Sequence, residues 1–351
     1  MSASDGTAPR AGALAETVAQ LGEEAVLRRL TPLLPVSGAA SLGIGDDAAV
    51  VAAPDGRFVV TTDMMVEGPD FRTAWSTPFD LGWKAAATNL SDVAAMGARP
   101  SALVVALAVA PDTALRRLED FARGLAAACL ALAPSCGVVG GDLSTSVTHT
   151  ITVTALGDLE GRAPVTRAGA RPGDVVAYCG ELGLAGRGLR LLFEQGVDGN
   201  GRPDRSRAEG LRRLHRTLID AQLRPAPPIA SGPVAARAGA HAMMDVSDGL
   251  AKDARRLARA SGVSVIFDRE ALGDDPEMAM RGGEDHGLLA TFAPTAPLPE
   301  GFRRLGRAGP ADRGARVWVG RHPYRDDGGW DPYRDASRAG ARDSHDTTVS
   351  P

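Results

Sequence analysis

Residues 80–110 read DLGWKAAATNLSDVAAMGARPSALVVALAVA, and the fold class turns on this stretch. Apolar and small residues run at helical spacing to about Met96. Asp80 can cap that helix, and Gly97 and Pro100 close it. The continuous apolar run 101–110 follows. It reads as a buried strand and is far shorter than the ~18 residues a membrane span needs. Downstream, 113–133 predicts an amphipathic helix. Residues 137–140 predict a short strand ending at Gly141 and Asp142, and 149–157 (HTITVTALG) alternates as a strand. Upstream, 57–62 (RFVVTT) is β-rich and ends at Asp63, and 13–34 predicts one or two helices.

The register changes at 158–173, rich in Gly, Arg and Pro, which reads as an interdomain connection. Beyond it, strands are expected at 174–179, 242–244, 263–267 and 286–292. Helices are expected at 183–195, 206–221, 227–239 and 247–261. Strands and helices interleave throughout, so the class is α/β, or mixed α+β, in two domains. The expected division is a disordered N-terminus at 1–12, an N-terminal domain at 13–158, a C-terminal α/β domain at 159–310 and a mostly flexible tail at 311–351.

The 351 residues carry 39 Lys plus Arg against 43 Asp plus Glu, a net charge of −4, which argues against a basic nucleic-acid binder. With 44% hydrophobic residues the chain can bury a core. The start has no basic, then apolar, leader. Cys129, Cys136 and Cys179 form no C-x-x-C pair, as expected of reduced thiols in a cytoplasm. Lysine occurs only at Lys84 and Lys252, and there is no G-x-x-x-x-G-K-[ST]. Any ATP chemistry therefore proceeds without a P-loop lysine.

The aspartates carry the chemical signal. Asp46 and Asp47 lie in GIGDDAAVV, Asp63 in TTDMMVEG, Asp92 in NLSDVAAMGA, Asp142 in VVGGD, Asp245 and Asp248 in MMDVSDGL, and Glu284 and Asp285 in RGGEDHGLL. Each sits among apolar, Gly, Ser or Thr residues, where an unpaired carboxylate is costly. Hard divalent cations, which take oxygen ligands and substrate phosphates, are natural partners. Singly, each motif also reads as a solvated turn or a helix cap.

Taken in order, GIGDDAAVV, TTDMMVEG, NLSDVAAMGARP, GGDLS, VTRAGARPGD, DVSDGL and GGED resemble the thiamine-monophosphate kinase family. That family lies in the superfamily of aminoimidazole ribonucleotide synthetase and selenophosphate synthetase. The resemblance covers about 13–292. It implies a two-domain synthetase-superfamily fold, with an N-terminal α/β domain that forms a homodimer. It further implies transfer of the ATP γ-phosphoryl group to thiamine monophosphate in a site holding several Mg²⁺ ions. By motif, it implies metal ligation by Asp47, Thr61, Thr62, Asp63, Asp92, Asp142, Asp245 and Asp248. ATP contacts are implied for Gly141, Asp142, Arg167 and Ser247. Substrate contacts are implied for Glu284, for Trp330 in GGWDPYR, and for Asp70, which stands where the family often has histidine. His286 stands where the family commonly has tyrosine. No side chain is implied as general acid or base, because the acceptor phosphate is already ionised. The competing readings are a metal-dependent phosphohydrolase and a nucleotide-binding protein without turnover.

Overall fold

A computed structural model describes residues 16–45, 48–311, 316–326 and 329. The expectations for 1–12, Asp47 and Trp330 lie outside these residues.

The N-terminal half begins with α1 (Val18–Leu21), α2 (Glu23–Leu30) and a two-stranded ribbon of β1 (Ala40–Leu42) and β2 (Val50–Val51). Its body is β3 (Val59–Val66), α3 (Pro78–Ala95), β4 (Arg99–Val109), α4 (Leu115–Leu132), β5 (Gly137–Thr145) and β6 (Thr150–Asp158). The sheet order is β3-β6-β4-β5, with only β4 and β5 parallel. One sheet face packs under α3 and α4 to form a core around Leu90, Leu103, Leu125 and Val153. The opposite face is bare, with Val60 and Met64 each 59% exposed.

The second half contains β7 (Val175–Cys179), α5 (Leu184–Gln195), α6 (Arg205–Leu214), α7 (Arg216–Leu223), α8 (Ser231–Arg237), β8 (Ala242–Val246) and α9 (Leu250–Ser261). It continues with β9 (Val263–Phe267), α10 (Pro276–Arg281), β10 (Gly287–Phe292), β11 (Phe302–Pro310), β12 (Val317–Val319) and β13 (His322–Pro323). These strands form one sheet in the order β13-β12-β9-β11-β7-β10-β8.

Within the tail expected from 311, residues 317–319 and 322–323 form strands, and the expectation for most of the rest lies outside the described residues. Val317 is fully buried, and β12 pairs in parallel with β9. The short apolar run Val317–Val319 carries too little periodicity to announce itself, but it completes the sheet. Two strands are also longer than expected. Asp63 lies inside β3 and Asp142 inside β5, rather than at strand ends. Asp80 is not the cap of α3 but its third residue. The cap is Thr77, and the two side chains form a reciprocal capping box.

Helix α3 is the spine between the halves. It crosses α4 closely because a Cβ on Gly82 would lie 2.0 Å from the Phe121 carbonyl oxygen, and one on Gly124 would lie 2.0 Å from that of Phe79. Asp80, Lys84, Ser91 and Ala95 recur at helical spacing and face the second half. Arg212 and Arg224 bond the Asp80 carboxylate, Lys84 pairs with Glu284, and Ser91 reaches Asp245. Trp83 adds a bond from Nε1 to the Pro225 carbonyl at 2.7 Å. No described helix is long and apolar enough to cross a membrane, and all three cysteines are free and buried.

Candidate active site

The alternation of β3 decides which of its side chains can meet α3. Thr61, Asp63 and Met65 point to the helix face, and Val60, Thr62 and Met64 to the bare face. Thr61 Oγ1 donates to Asp92 Oδ2 at 2.8 Å, and the Asp63 amide donates to Asn89 Oδ1 at 3.1 Å. Thr62 instead donates to the Val153 carbonyl at 3.0 Å and accepts from Thr154. Its hydroxyl is turned away from Asp92.

Asp245 enters from β8, across from α3. Its Oδ2 accepts from Ser91 Oγ at 3.3 Å and sits 3.4 Å from His286 Nδ1. Burial pushes the Asp92 carboxyl up to about 7, and the neighbouring charges of Asp245 and Asp63 add to the shift. Burial also raises Asp63. His286 opposes that rise, while Asp245, Asp248 and Glu284 reinforce it. Asp63, Asp92 and Asp245 thus form a strained acidic group at the domain junction.

The two motifs of the second half interlock beside it. The Glu284 amide donates to the Ser247 carbonyl at 2.8 Å, and that of His286 to Val246 at 3.1 Å. Glu284 and His286 hold φ of 73° and 53°, in the left-handed region that costs a side-chain-bearing residue. Asp285 turns away and accepts from the Gly183 and Ala185 amides at 2.5 and 2.7 Å, capping the start of α5. Asp248 is neutralised within the chain, with Arg256 at 2.7 Å and Lys252 at 3.2 Å.

Two clefts flank the acids. One, of about 500 Å³, is lined by Thr61, Asp92, Met96, Arg167, Met243 and Asp245. The other, of about 330 Å³, is lined by Asp70, Arg190, Phe193, Gln222, Ser247 and Glu284, with Gly329 at its rim. Ser247, expected beside ATP, thus lines the cleft opposite Arg167. Asp70 is tied to the Val66 amide at 2.7 Å, and burial raises its carboxyl. Gly329 brings the chain to this cleft immediately before Trp330.

Gly141 and Asp142 are not brought to the acids. Asp63, Val153, Val105 and Gly141 form one row across the sheet. Three strand spacings, about 14 Å, therefore separate β3 from β5. Asp142 lies in the adjacent row with Met64, and its side chain is on the bare face. Residues 45–159 match the AIR synthase related protein N-terminal domain, and 171–305 match its C-terminal domain. The chain is 41% identical to the thiamine-monophosphate kinase of Mycobacterium tuberculosis over 340 residues, 93% of this chain and 96% of that one.

The chain belongs to the thiamine-monophosphate kinase family.

Solved structures of family members agree with the architecture. The crystal structure of thiamine-monophosphate kinase from Stenotrophomonas maltophilia K279a matches with a TM-score of 0.68 at 31% identity, covering 85% of this chain and 95% of that one. AaThiL complexed with AMPPCP and TMP matches at 0.67 and 31%, covering 88% and 96%. Within this family frame, sequence reasoning missed Lys84, Ser91, Gln222 and Asp253. Lys84 carried a signal, as one of two lysines in an arginine-rich chain and embedded in the apolar run GWKAAAT. Asp253, buried and raised to about 7, accepts from the Asp248 amide at 3.0 Å and so supports the DVSDGL turn.

Proposed function

We propose that the protein phosphorylates thiamine monophosphate to thiamine diphosphate at the expense of ATP, releasing ADP. One observation carries this reading: Asp92 and Asp245, from the two halves, line a cleft with Arg167, and Ser247, two residues beyond Asp245, lines a second cleft with Glu284 and Asp70. ATP would occupy the first cleft, with the Arg167 guanidinium on phosphate oxygens. Thiamine monophosphate would occupy the second. The acceptor phosphate oxygen then forms a bond to the γ-phosphorus as the bond to the β-bridging oxygen breaks. The chain's contribution is alignment, so no general base is required.

The donor set fits Mg²⁺. It consists of carboxylate and hydroxyl oxygens, and among the described residues no cationic side chain forms an ion pair with Asp63 or Asp92. Among the described residues no three ligating side chains close round one point. Several Mg²⁺ ions held by Asp63, Asp92 and Asp245, with Thr61 beside them, would draw their remaining ligands from phosphate and water oxygens. Bound there, they would neutralise phosphate charge that the acids alone would repel.

We also assign the bare face of the β3-β6-β4-β5 sheet to a second copy, making a homodimer. The exposed Val60 and Met64 would be covered, and Asp142 and Gly141 of one protomer would reach phosphate at the other's site. The free, buried thiols suit a cytoplasmic enzyme. Purified protein should release ADP only when thiamine monophosphate and Mg²⁺ are both present. ADP release without thiamine monophosphate would favour a phosphohydrolase.

A further inference from the structure

Glu284 enters the second cleft with its two oxygens treated unequally. Oε2 receives both Lys84 Nζ and Gln222 Nε2, the latter at 3.2 Å. Oε1 has no partner among the described residues, and 35% of the side chain is exposed. Burial pushes the Glu284 carboxyl up, but Lys84, His286 and Gln222 together hold it below its usual value. The backbone is fixed by its bond to Ser247 and by the left-handed φ.

The Gln222 amide can be oriented in only one way. A carboxylate only accepts, so Nε2 must face Glu284. That leaves Gln222 Oε1 as an acceptor without a donor, on a residue only 4% exposed that lines the same cleft. A buried acceptor without a donor is rare and costly. Burying the Lys84 ammonium is costly as well, and a hydrophobic residue would pack α3 at least as well.

We propose that Lys84 and Gln222 are positioning residues that make Glu284 a specificity-determining acceptor for the substrate's exocyclic amine. This rests on the functional reading above. Lys84 cancels the charge of Glu284, so the carboxylate does not act as a trap for cations in general. It also holds Glu284 ionised, so that Oε1 can accept but never donate. An amino group on the pyrimidine offers two N–H donors to this wall. An oxo group in the same place brings only lone pairs and is repelled.

The test measures kcat and KM for ATP, thiamine monophosphate and its 4-oxo analogue, with wild type, Lys84→Met, Lys84→Arg and Gln222→Leu. The wild type should prefer the amine by at least about a hundredfold in kcat/KM. Lys84→Met and Gln222→Leu should each raise KM for thiamine monophosphate about tenfold or more. Both should shrink the amine-to-oxo preference while leaving KM for ATP unchanged, and Lys84→Arg should restore most of it. An amine-to-oxo ratio unchanged in Gln222→Leu overturns the proposal even if Lys84→Met fails to fold. KM for ATP rising in step with that for thiamine monophosphate also overturns it. A wild type that phosphorylates neither compound overturns the functional reading, and this inference with it.

Discussion

Asp92 on α3 and Asp245 on β8 line the same cleft from opposite halves of the chain, and the charge of Asp245 helps hold the Asp92 carboxyl near 7. A half-buried and a buried acid set against each other are unfavourable on their own. Under the proposed function, a cation and phosphates between them would offset that cost.

Asp63→Ala or Asp92→Ala should lower turnover by at least about two orders of magnitude. The fold should remain, because each substitution removes an unfavourable charge. Steady-state rates alongside circular dichroism check this, and near wild-type activity in either variant would break the argument.

The pH dependence of metal-free stability has a defined sign. Asp92 and Asp253 are raised from 3.8 to about 7 in the folded state. Between those values the folded chain holds protons that the unfolded chain releases, so stability falls as pH rises. Their contribution is most favourable below about pH 4 and is lost above about 7. Measured by Tm with chelator present, Asp92→Asn should lie close to wild type at pH 5 and above it at pH 8. Added Mg²⁺ should close the gap.

Asp80 has no exposed side-chain surface and bonds Arg212 and Arg224 from the other half. Asp80→Ala leaves the Arg224 guanidinium without its carboxylate and Arg212 with Asp220 alone. It should cost about 3 kcal/mol in urea unfolding. A loss under about 1 kcal/mol would mean the ion cluster does not join the halves.

Gly329 marks the approach of the C-terminal segment to the second cleft. Its φ is 81°, and a Cβ there would lie 2.0 Å from the Asp248 carbonyl oxygen. Gly329→Ala should therefore push the segment away and raise KM for thiamine monophosphate more than KM for ATP. Trp330→Ala should do the same if its ring packs on the cationic thiazolium. Equal changes for both substrates would remove the segment from the substrate site.

The parts of the site that were legible in the sequence were those where a residue type contradicts its surroundings. Asp92 in an apolar helix and Asp245 in MMDV stood out because burial makes a carboxylate conspicuous. Face and register were not legible. Thr61, Thr62 and Asp63 are consecutive, and only the pairing of β3 shows that Thr62 turns away. Asp142 looks equivalent to Asp63 in sequence, yet the strand order sets it on the other face and at the other edge. Gln222 left no trace, since a glutamine on an amphipathic helix normally faces solvent. The α/β class and the two halves were legible from alternating periodicities, whereas β12 was too short to be read.

The most direct test of the central claim follows thiamine diphosphate and ADP together by chromatography, with purified protein, ATP, MgCl₂ and thiamine monophosphate. The account predicts equal formation of both products, with neither appearing when any one of the three small molecules is omitted. ADP without thiamine diphosphate would contradict the proposed acceptor, and no ADP at all would contradict catalysis at this junction.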